Sequence, residues 1–540
     1  MLIPINVRSD PGIKRDGTKF EGSAYVDGQW VRFQRGLPRK IGGYRSISNN
    51  ANGIVRQFYT QALNNFIYTH IGTESGVQSF TIDTYGNTSA MTDRTPAVFD
   101  PYTSGYNWNF DAMFDGAGSD TVIFANPVNT LADISDGTSL PIYFGSIYAS
   151  TPLQQLFDTT SGLPILTSGN ICVLHPYLFV LDKNGYVRWS DINDPQNFST
   201  GDAGDAYITS SKLVKALPLR GGGQSPAGLI WALDSLIRVT YTGGTDVFSF
   251  DTVSASTSIL SANSVIEYDG LYFWVGIDRF MVYNGVVQEV PNNMNINYFF
   301  DGLNQEMGNK VFAMKVTRYG EIWWCYPRGD ATECTHAIIY NVREKTWYDC
   351  ELPNGGRSAG IYAQVFHSPI MAGVEQIPTG SSVRITEASD DRITEAEATR
   401  ITNDGYPQYK IWRHEYGANE IDGFNVNAVQ SWFETGDISL LIADQPKNRS
   451  LRIEMIEPDF VQTGDMQVQI MGRINARAPE VNGPIHTFPD VPNEVYEQQV
   501  FFKEQRRELR FRFESNTVDG DFQMGQIIAH IEPADGRYQS

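Results

Sequence analysis

Residues 264–290 read SVIEYDGLYFWVGIDRFMVYNGVVQEV, and this stretch contains the pattern that decides the fold class. Short runs of β-branched and aromatic residues alternate there with the dipeptides Asp269-Gly270 and Asn284-Gly285. Such dipeptides tolerate the positive φ angles that two-residue hairpin turns require, and the runs between them have the composition of half-buried strands. The stretch therefore predicts a meander of short antiparallel strands.

The same pattern recurs along most of the chain. It appears in LFVLDKNGYVRWSD at 178–191 and in AIIYNVREKTWYDC at 337–350. Further apolar runs of strand length are NFIYT at 65–69, TVIFA at 121–125, YLFVL at 177–181, GLIWAL at 228–233, GLYFWV at 270–275 and GEIWWCY at 320–326. Imperfect repetition at roughly 40 to 50 residues is typical of propeller blades, each a four-stranded meander.

We therefore expect a mainly β chain whose residues 54–375 form a β-propeller-like domain. The repeat length predicts roughly six to eight blades. A stacked array of β-sandwiches would produce similar local patterns, and the sequence leaves that alternative open.

A shorter repeat follows this region. RITEASDD, RITEAEAT and RITNDGYP begin at Arg384, Arg392 and Arg400, a period of eight residues. Because side chains alternate along a strand, an even period places the three arginines on one face. We expect a short β ladder at 376–415, whose arginines either contact a neighbouring subunit or form a solvated, charged hairpin.

The last part of the chain, residues 416–540, has the pattern of a β-sandwich. Its clearest strand is ELRFRFE at 508–514, in which Leu509, Phe511 and Phe513 alternate with Arg510 and Arg512. Period-two alternation predicts one core face and one cationic face, which we expect to be solvated or to face another subunit.

The net charge of −21 is distributed unevenly. Residues 1–56 contain ten Lys and Arg against four Asp and Glu, a balance of +6 that leaves −27 for the remainder (−21 − 6). We interpret residues 1–53 as a short, extended basic segment that docks on a neighbouring protein, or else as a small module with a solvated basic surface. No apolar stretch reaches the roughly 18 residues of a spanning helix, so we expect no membrane span.

The chemistry of known active sites is absent from the sequence. The four cysteines form no CxxC pair, and the glycine run at 221–228 lacks the GK[ST] of a phosphate-binding loop. Asp191, Asn193 and Asp194 could offer oxygens to Ca²⁺, but an Asx-capped turn is the simpler interpretation. We predict no catalytic residue, no metal site and no cofactor, and hence a protein that is not an enzyme.

Residues 28–44 read GQWVRFQRGLPRKIGGY, a basic and aromatic string that ends on paired glycines. This string resembles the opening of the tail nozzle (hub) proteins of short-tailed bacteriophages, also called packaged-DNA stabilisation proteins. Three further stretches agree with that family in order: RWSDINDPQNFS at 188–199, VQSWFETGDISL at 429–440 and MGQIIAHIEPADGRY at 524–538.

The resemblance implies a structural protein of the virion tail, made in the host cytoplasm, that forms a homo-hexamer. It implies contact with the portal and adaptor complex, further contacts with tail fibre, spike or needle proteins, and a channel for double-stranded DNA that is not bound sequence-specifically. The residues that match the opening motif, and that we predict to contact a subunit or partner, are Trp30, Arg32, Phe33, Arg35, Arg39 and Lys40. The alternative is a tail-associated propeller that binds or cleaves glycans.

Overall fold

The structure of the chain is a computed structural model. It describes residues 3–18, 24–48, 51–63, 65–83, 85–100, 106–116, 118, 120–129, 139–220, 226–363, 368–383, 401–438, 450–474, 477–490 and 499–534. The described chain is mainly β, as the sequence predicts. Among these residues no helix is long and apolar enough to cross a membrane.

Strands make up nearly all of the regular structure before residue 260. They are β1 (Ile3–Val7), β2 (Asp10–Ile13), β3 (Ala24–Tyr25), β4 (Asp27–Gln29), β5 (Val31–Gln34), β6 (Leu37–Lys40), β7 (Tyr44–Ser48), β8 (Val55–Leu63), β9 (Phe66–Thr73), β10 (Gly76–Asp83), β11 (Thr92–Asp93), β12 (Tyr106–Asp115), β13 (Asp120–Asn129), β14 (Leu140–Pro141), β15 (Tyr143–Ser146), β16 (Gln154–Gln155), β17 (Leu166–Thr167), β18 (Ile171–Leu174), β19 (Tyr177–Leu181), β20 (Tyr186–Trp189), β21 (Gly204–Tyr207), β22 (Leu213–Pro218), β23 (Ala227–Ala232), β24 (Leu236–Tyr241) and β25 (Phe248–Ser254). One 3₁₀ turn, Lys183–Gly185, lies between them.

The second half contains longer strands and the α-helix α1 (Ile296–Gly302). The strands are β26 (Ile266–Tyr268), β27 (Leu271–Val275), β28 (Phe280–Tyr283), β29 (Val287–Glu289), β30 (Phe312–Val316), β31 (Glu321–Tyr326), β32 (His336–Asn341), β33 (Thr346–Glu351), β34 (Ala359–Ala363), β35 (Ser368–Val383), β36 (Ile401–His414), β37 (Asn419–Asp422), β38 (Asn425–Ala428), β39 (Ser431–Glu434), β40 (Ser450–Thr463), β41 (Met466–Arg473), β42 (Val481–Phe488), β43 (Val500–Arg506), β44 (Glu508–Ser515) and β45 (Asp521–Ala534). Two more 3₁₀ turns are Ala262–Ser264 and Gln305–Lys310.

Six four-stranded antiparallel sheets follow one another between β8 and β33. We name them meander 1 (β8–β11), meander 2 (β12, β13, β15, β16), meander 3 (β18–β21), meander 4 (β22–β25), meander 5 (β26–β29) and meander 6 (β30–β33). Each of the six apolar runs found in the sequence supplies the second strand of one meander. Asp269 and Gly270 have φ values of 50° and 80°, and Asn184 and Gly185 have 57° and 65°, which confirms the predicted turn chemistry at these two dipeptides. At Asn284-Gly285 only the glycine has a positive φ, of 107°.

Neighbouring meanders share buried cores. Trp231 of meander 4 meets Trp274 of meander 5 edge-on at 5.7 Å between ring centroids, and Phe280 of meander 5 lies 4.7 Å from Trp347 of meander 6. The first strand of one sheet also contacts the first strand of the next sheet along the chain in five cases: β8–β12, β12–β18, β18–β22, β26–β30 and β30–β34. Strand β34 in turn contacts β8, so the series returns to its first sheet.

Three larger sheets contain most of the remaining strands, while β2 pairs with β3 and β14 pairs with β17 in two small sheets. Their strand orders are β34-β35-β36-β7-β37-β38, then β43-β40-β45-β6-β5 with β1 added on β45, and β4-β39-β44-β41-β42. The last two sheets share one hydrophobic core with meander 6. We name these two sheets the C-terminal sheets.

Strand β44 has the predicted core face, but its cationic face differs from the prediction. Leu509, Phe511 and Phe513 are fully buried in the core. Arg510, which we expected to be solvated or to face another subunit, is instead buried, and its guanidinium pairs with carboxylates of this chain, Glu434 among them, at 2.9 Å. The prediction for Arg510 is therefore wrong, because strand alternation says which side of a sheet a residue occupies but not what covers that side.

Strands β4 to β7 are distributed over three sheets. β4 pairs with β39, β5 and β6 form a hairpin beside β45, and β7 pairs with β36. Residues 24–48 therefore dock on their own chain. Removing residues 1–44 would withdraw strands from the C-terminal sheets, so we expect such a truncation to unfold rather than to remain soluble.

Two of the boundaries drawn from the sequence fall near β35 and β36. Residue 376 lies within β35, and residue 415 follows the last residue of β36. The two strands pair along most of their length. The first two units of the repeat, 384–399, lie between them in sequence, whereas residues 401–407 of the third unit belong to β36. Arg384, Arg392 and Arg400 themselves lie outside the described residues.

Candidate interaction site at the basic aromatic motif

The motif begins with a hairpin whose tip is fixed to meander 6. Arg35 and Gly36, between β5 and β6, have φ values of 55° and 75°, the geometry of a two-residue hairpin turn. The carboxylate of Glu344 accepts hydrogen bonds from both backbone N–H groups, at 2.8 and 3.3 Å. The turn between β32 and β33 thereby holds the tip of the hairpin.

The two aromatic residues of the motif are core residues. The Trp30 indole N–H donates to the carbonyl of Gly42 at 3.1 Å, and its ring meets Trp323 of β31 edge-on at 5.9 Å. Phe33 is fully buried, and its ring centroid lies 5.6 Å from that of Tyr348 in β33. Both rings therefore join the N-terminal segment to meander 6.

Arg32 is fully buried between two carboxylates. Its Nε lies 2.8 Å from Oε1 of Glu321, and its guanidinium also pairs with Glu415. Its Cζ lies 3.7 Å from the centroid of the Tyr319 ring. Burial works against the charge, but the two carboxylates raise the pKa of Arg32 above its ordinary value, so it stays cationic.

Glu321 is held by groups other than Arg32. It accepts hydrogen bonds from the Trp323 indole at 2.9 Å and from the Tyr348 hydroxyl at 2.7 Å. The core encloses this charge-assisted network. Removing one partner of such a buried pair leaves an unpaired charge and costs about 3–5 kcal/mol. The network therefore fixes how the N-terminal segment sits on meander 6.

The paired glycines that end the motif are required by a close approach of two backbones. A Cβ on Gly43 would lie 2.2 Å from the carbonyl oxygen of Asn419, and one on Gly42 would lie 2.8 Å from a Glu415 carboxylate oxygen. Only glycine permits this approach without displacing residues 415–419.

The remaining cations of the motif differ in exposure. Lys40 is buried, its ammonium donates to the carbonyl of Gly520 at 2.5 Å, and burial lowers its pKa to about 8, although Asp521 partly offsets this. Arg35 is exposed, and Arg39 is half-buried with a hydrogen bond to Gln34 at 2.9 Å. In this conformation a partner could reach Arg35 and Arg39, and the contact of the motif with a partner stays a prediction.

A polar groove of about 450 Å³ runs beside the motif. Its lining includes Arg15, Asp27, Tyr298, Asp349 and Trp432, residues that the sequence patterns did not single out. Arg15 pairs with Asp349 at 3.0 Å and also with Asp27. One guanidinium thus engages both carboxylates, whereas paired-acid hydrolysis requires one carboxyl as a proton donor and the other as a nucleophile or base.

The Asp191 cluster forms a capped turn. One carboxylate oxygen of Asp191 accepts the backbone N–H groups of Ile192 and Asp202, each at 2.8 Å, and Asp194 accepts that of Gln196 at 3.2 Å. These are the bonds of an Asx-capped loop. Within the described residues no group of three His, Cys, Asp or Glu side chains is arranged to hold a metal ion.

Comparison with known proteins finds no matching family model and no matching curated protein. The resemblance to the tail nozzle family therefore stays a prediction that rests on the four quoted stretches of sequence.

Proposed function

We propose that this chain is a structural protein of the tail of a short-tailed bacteriophage, and that six copies form the nozzle below the portal and adaptor rings. The observation that carries the proposal is the use of the basic aromatic motif as an internal joint. Trp30, Arg32 and Phe33 connect the N-terminal segment with meander 6 and the C-terminal sheets. A motif that holds sheets together fits a structural role better than a catalytic one.

We interpret the six meanders as blades of a propeller-like ring. The sheet that contains β34, β35, β36 and β7 would act as a seventh blade, since β34 contacts both β30 and β8. Its strand β7 comes from the N-terminal segment, so both ends of the domain would be joined in one sheet. The C-terminal sheets would then be the β-sandwich that the sequence predicts.

The centre of this ring is occupied by side chains of the chain itself. Arg56 of β8 pairs with Glu333 at 2.7 Å, and Lys310 pairs with the same carboxylate at 3.0 Å. Asn107 of β12 donates to the carbonyl of Asn309 at 3.4 Å. These contacts join meanders 1 and 2 to residues next to meander 6, which supports a DNA channel between subunits rather than through one chain.

The charge fits such a channel. With a formal charge of −21, the surface repels phosphate, and screening at physiological ionic strength confines the effect to about 8 Å. Duplex DNA could then slide through an assembly of these chains without adhering. Tail fibre, spike or needle proteins would attach to the same assembly, and no catalytic activity is part of this role.

The groove beside the motif is the observation that favours the second candidate, a tail-associated glycan-binding or glycan-cleaving propeller. Tyr298 and Trp432 could stack on sugar rings, and two carboxylates lie near them. The pairing of both carboxylates with Arg15 weakens this candidate as a hydrolase. Sugar release from host surface polymers that is abolished by Asp349→Asn would overturn the structural role.

Native mass spectrometry of the purified chain tests the proposal. A mass near six times the 60.4 kDa of one chain is the expected result. A monomer or trimer with affinity for a saccharide would instead support the second candidate.

A further inference from the structure

A cationic patch lies where the β5–β6 hairpin meets meander 6. The exposed side chains of Arg35, Arg318, Arg343 and Lys345 project from three neighbouring turns, with half-buried Arg39 beside them. We name these five residues the arginine patch. Arg39 and Arg318 lie 5.9 and 5.2 Å from the centroid of the Tyr319 ring, so this ring forms the centre of the patch.

The patch gathers several cations whose charges are not matched by carboxylates. In the described part of the chain, no carboxylate oxygen lies within 4.0 Å of a cationic nitrogen of these five residues. Some exposed arginines elsewhere do have such partners: Arg238 pairs with Asp251 at 3.4 Å, and Arg279 pairs with Asp278 at 2.6 Å. Exposed Arg45 instead lies over the ring of Tyr416, with its Cζ 5.7 Å from the ring centroid.

Two carboxylates lie near the patch but do not neutralise it. Glu344 is committed to the backbone N–H groups of Arg35 and Gly36. Asp269 lies beside Tyr268, whose hydroxyl also interacts with Arg343, and Asp269 itself forms no ion pair with the patch. Five cations against two carboxylates give a local balance of +3, which leaves −24 for the rest of the chain (−21 − 3).

The guanidiniums are oriented in part by the chain itself. Arg343 donates to the carbonyl oxygens of Arg318 and Thr317, at 3.1 and 2.9 Å. A guanidinium held in this way loses less side-chain entropy when it meets a planar carboxylate than a free lysine would. The patch is therefore prepared for an anionic partner.

We infer that the arginine patch docks on an acidic surface of a second copy of this chain, an inference that rests on the hexamer of the proposed function. The other copy offers suitable turns. The loop 242–247 contains the exposed Asp246 and no Lys or Arg. The loop 190–203 after β20 contains half-buried Asp191, Asp194 and Asp202, also without a single Lys or Arg; these carboxylates bind groups of their own chain, as Glu344 does, but no cation lies among them in this loop.

These acidic loops connect third and fourth strands, as does the turn that carries Arg343 and Lys345. In an antiparallel meander such turns lie at the same end of the sheet as the turn between first and second strands, which carries Arg318. Copies related by rotation about one axis would present these ends in the same direction. The cationic end of meander 6 in one copy could then lie beside the acidic ends of meanders 3 and 4 in the next.

Charge reversal tests the inference in the full-length chain. We compare wild type, Arg318→Glu/Arg343→Glu, and the control Arg279→Glu/Arg452→Glu, which makes the same change of charge at two exposed arginines outside the patch and outside meanders 3 and 4. A second test variant, Arg35→Glu/Lys345→Glu, alters side chains without described hydrogen bonds. Native mass spectrometry and light scattering at low and high salt report assembly, and circular dichroism reports folding.

We expect the wild type and the control to form the same ring. The subunit concentration below which the ring dissociates should be at least about tenfold higher for both patch variants than for the wild type. Salt should weaken the wild-type ring, because exposed ion pairs are screened. Rings of unchanged stability in both patch variants would overturn the inference and leave the nozzle intact, whereas absence of a wild-type ring would refute the nozzle itself. Wild-type binding of duplex DNA that the patch variants lose, with rings unaffected, would overturn the inference in favour of a nucleic-acid contact.

Discussion

Arg32 and Glu321 are separated by 289 positions in sequence and meet in the core, with Nε of the arginine 2.8 Å from Oε1 of the carboxylate. The pair connects the N-terminal hairpin to the central strands of meander 6. Because both side chains are fully buried, neither charge has access to water that could replace its partner.

Replacing Arg32 with methionine should destabilise the protein by about 3–5 kcal/mol, because Glu321 and Glu415 would remain buried without their cation. Adding Glu321→Gln to Arg32→Met should recover part of this loss. Denaturant unfolding midpoints measure the effect, with Arg279→Met on the surface as the matched control. A midpoint for Arg32→Met equal to that of the control would show that the pair does not hold the joint.

Gly43→Ala tests the close approach of the two backbones. A Cβ there would lie 2.2 Å from the carbonyl oxygen of Asn419, so residues of the loop after β36 must move, at a cost of about 1–3 kcal/mol. Gly244→Ala is the control, because nothing lies within 4 Å of the Cβ it would add. Thermal unfolding should separate the two variants, and equal melting temperatures would contradict the described packing.

His70 should make the protein sensitive to acid. It is buried, and burial, aided by the charge of Arg94 and partly opposed by a backbone hydrogen bond at Ile147, lowers its pKa to about 3. The unfolded chain binds a proton near pH 6.5 and the folded chain does not, so stability is lost as the pH falls from about 6.5 to 3, by at most about 5 kcal/mol.

The measurement for His70 is stability as a function of pH. His70→Leu should reduce the slope of the curve over this window, where half-buried His336 and buried His414 also contribute, and leave the values above pH 7 nearly unchanged. His175→Gln, at an exposed position, should follow the wild type. Parallel curves for His70→Leu and wild type would show that the ring is solvated when the protein is folded.

The acidic chain should bind duplex DNA weakly even at low salt, where phosphate contacts are strongest. The experiment is a titration of duplex DNA against the assembled protein over a range of salt concentrations. A steep dependence of affinity on salt would reveal many Lys and Arg facing the channel, and the account of a repulsive channel would be abandoned.

The strands predicted best were those buried inside the meanders. YLFVL at 177–181 and GEIWWCY at 320–326 become β19 and β31, because a strand enclosed on both faces is mostly apolar. Glu321 is the charged exception in β31, and Arg32 pairs with it. Turns such as Asp269-Gly270 were predicted equally well from the sequence, since their geometry depends on adjacent residues alone.

The candidate site was recognised from the sequence only in outline. The string at 28–44 stands out by composition, but nothing local indicates that Arg32 pairs with Glu321 or that Gly43 passes Asn419. Arg510 shows the same limit, because its partner Glu434 lies 76 positions away. Burial of these cations depends on contacts between distant segments, and strand periodicity contains no information about them.

Electron microscopy of the purified full-length chain tests the central claim most directly. We predict class averages with sixfold symmetry and an open central channel wide enough for duplex DNA, formed between subunits rather than through one chain. Particles that remain monomeric, or that assemble without a central opening, would contradict it.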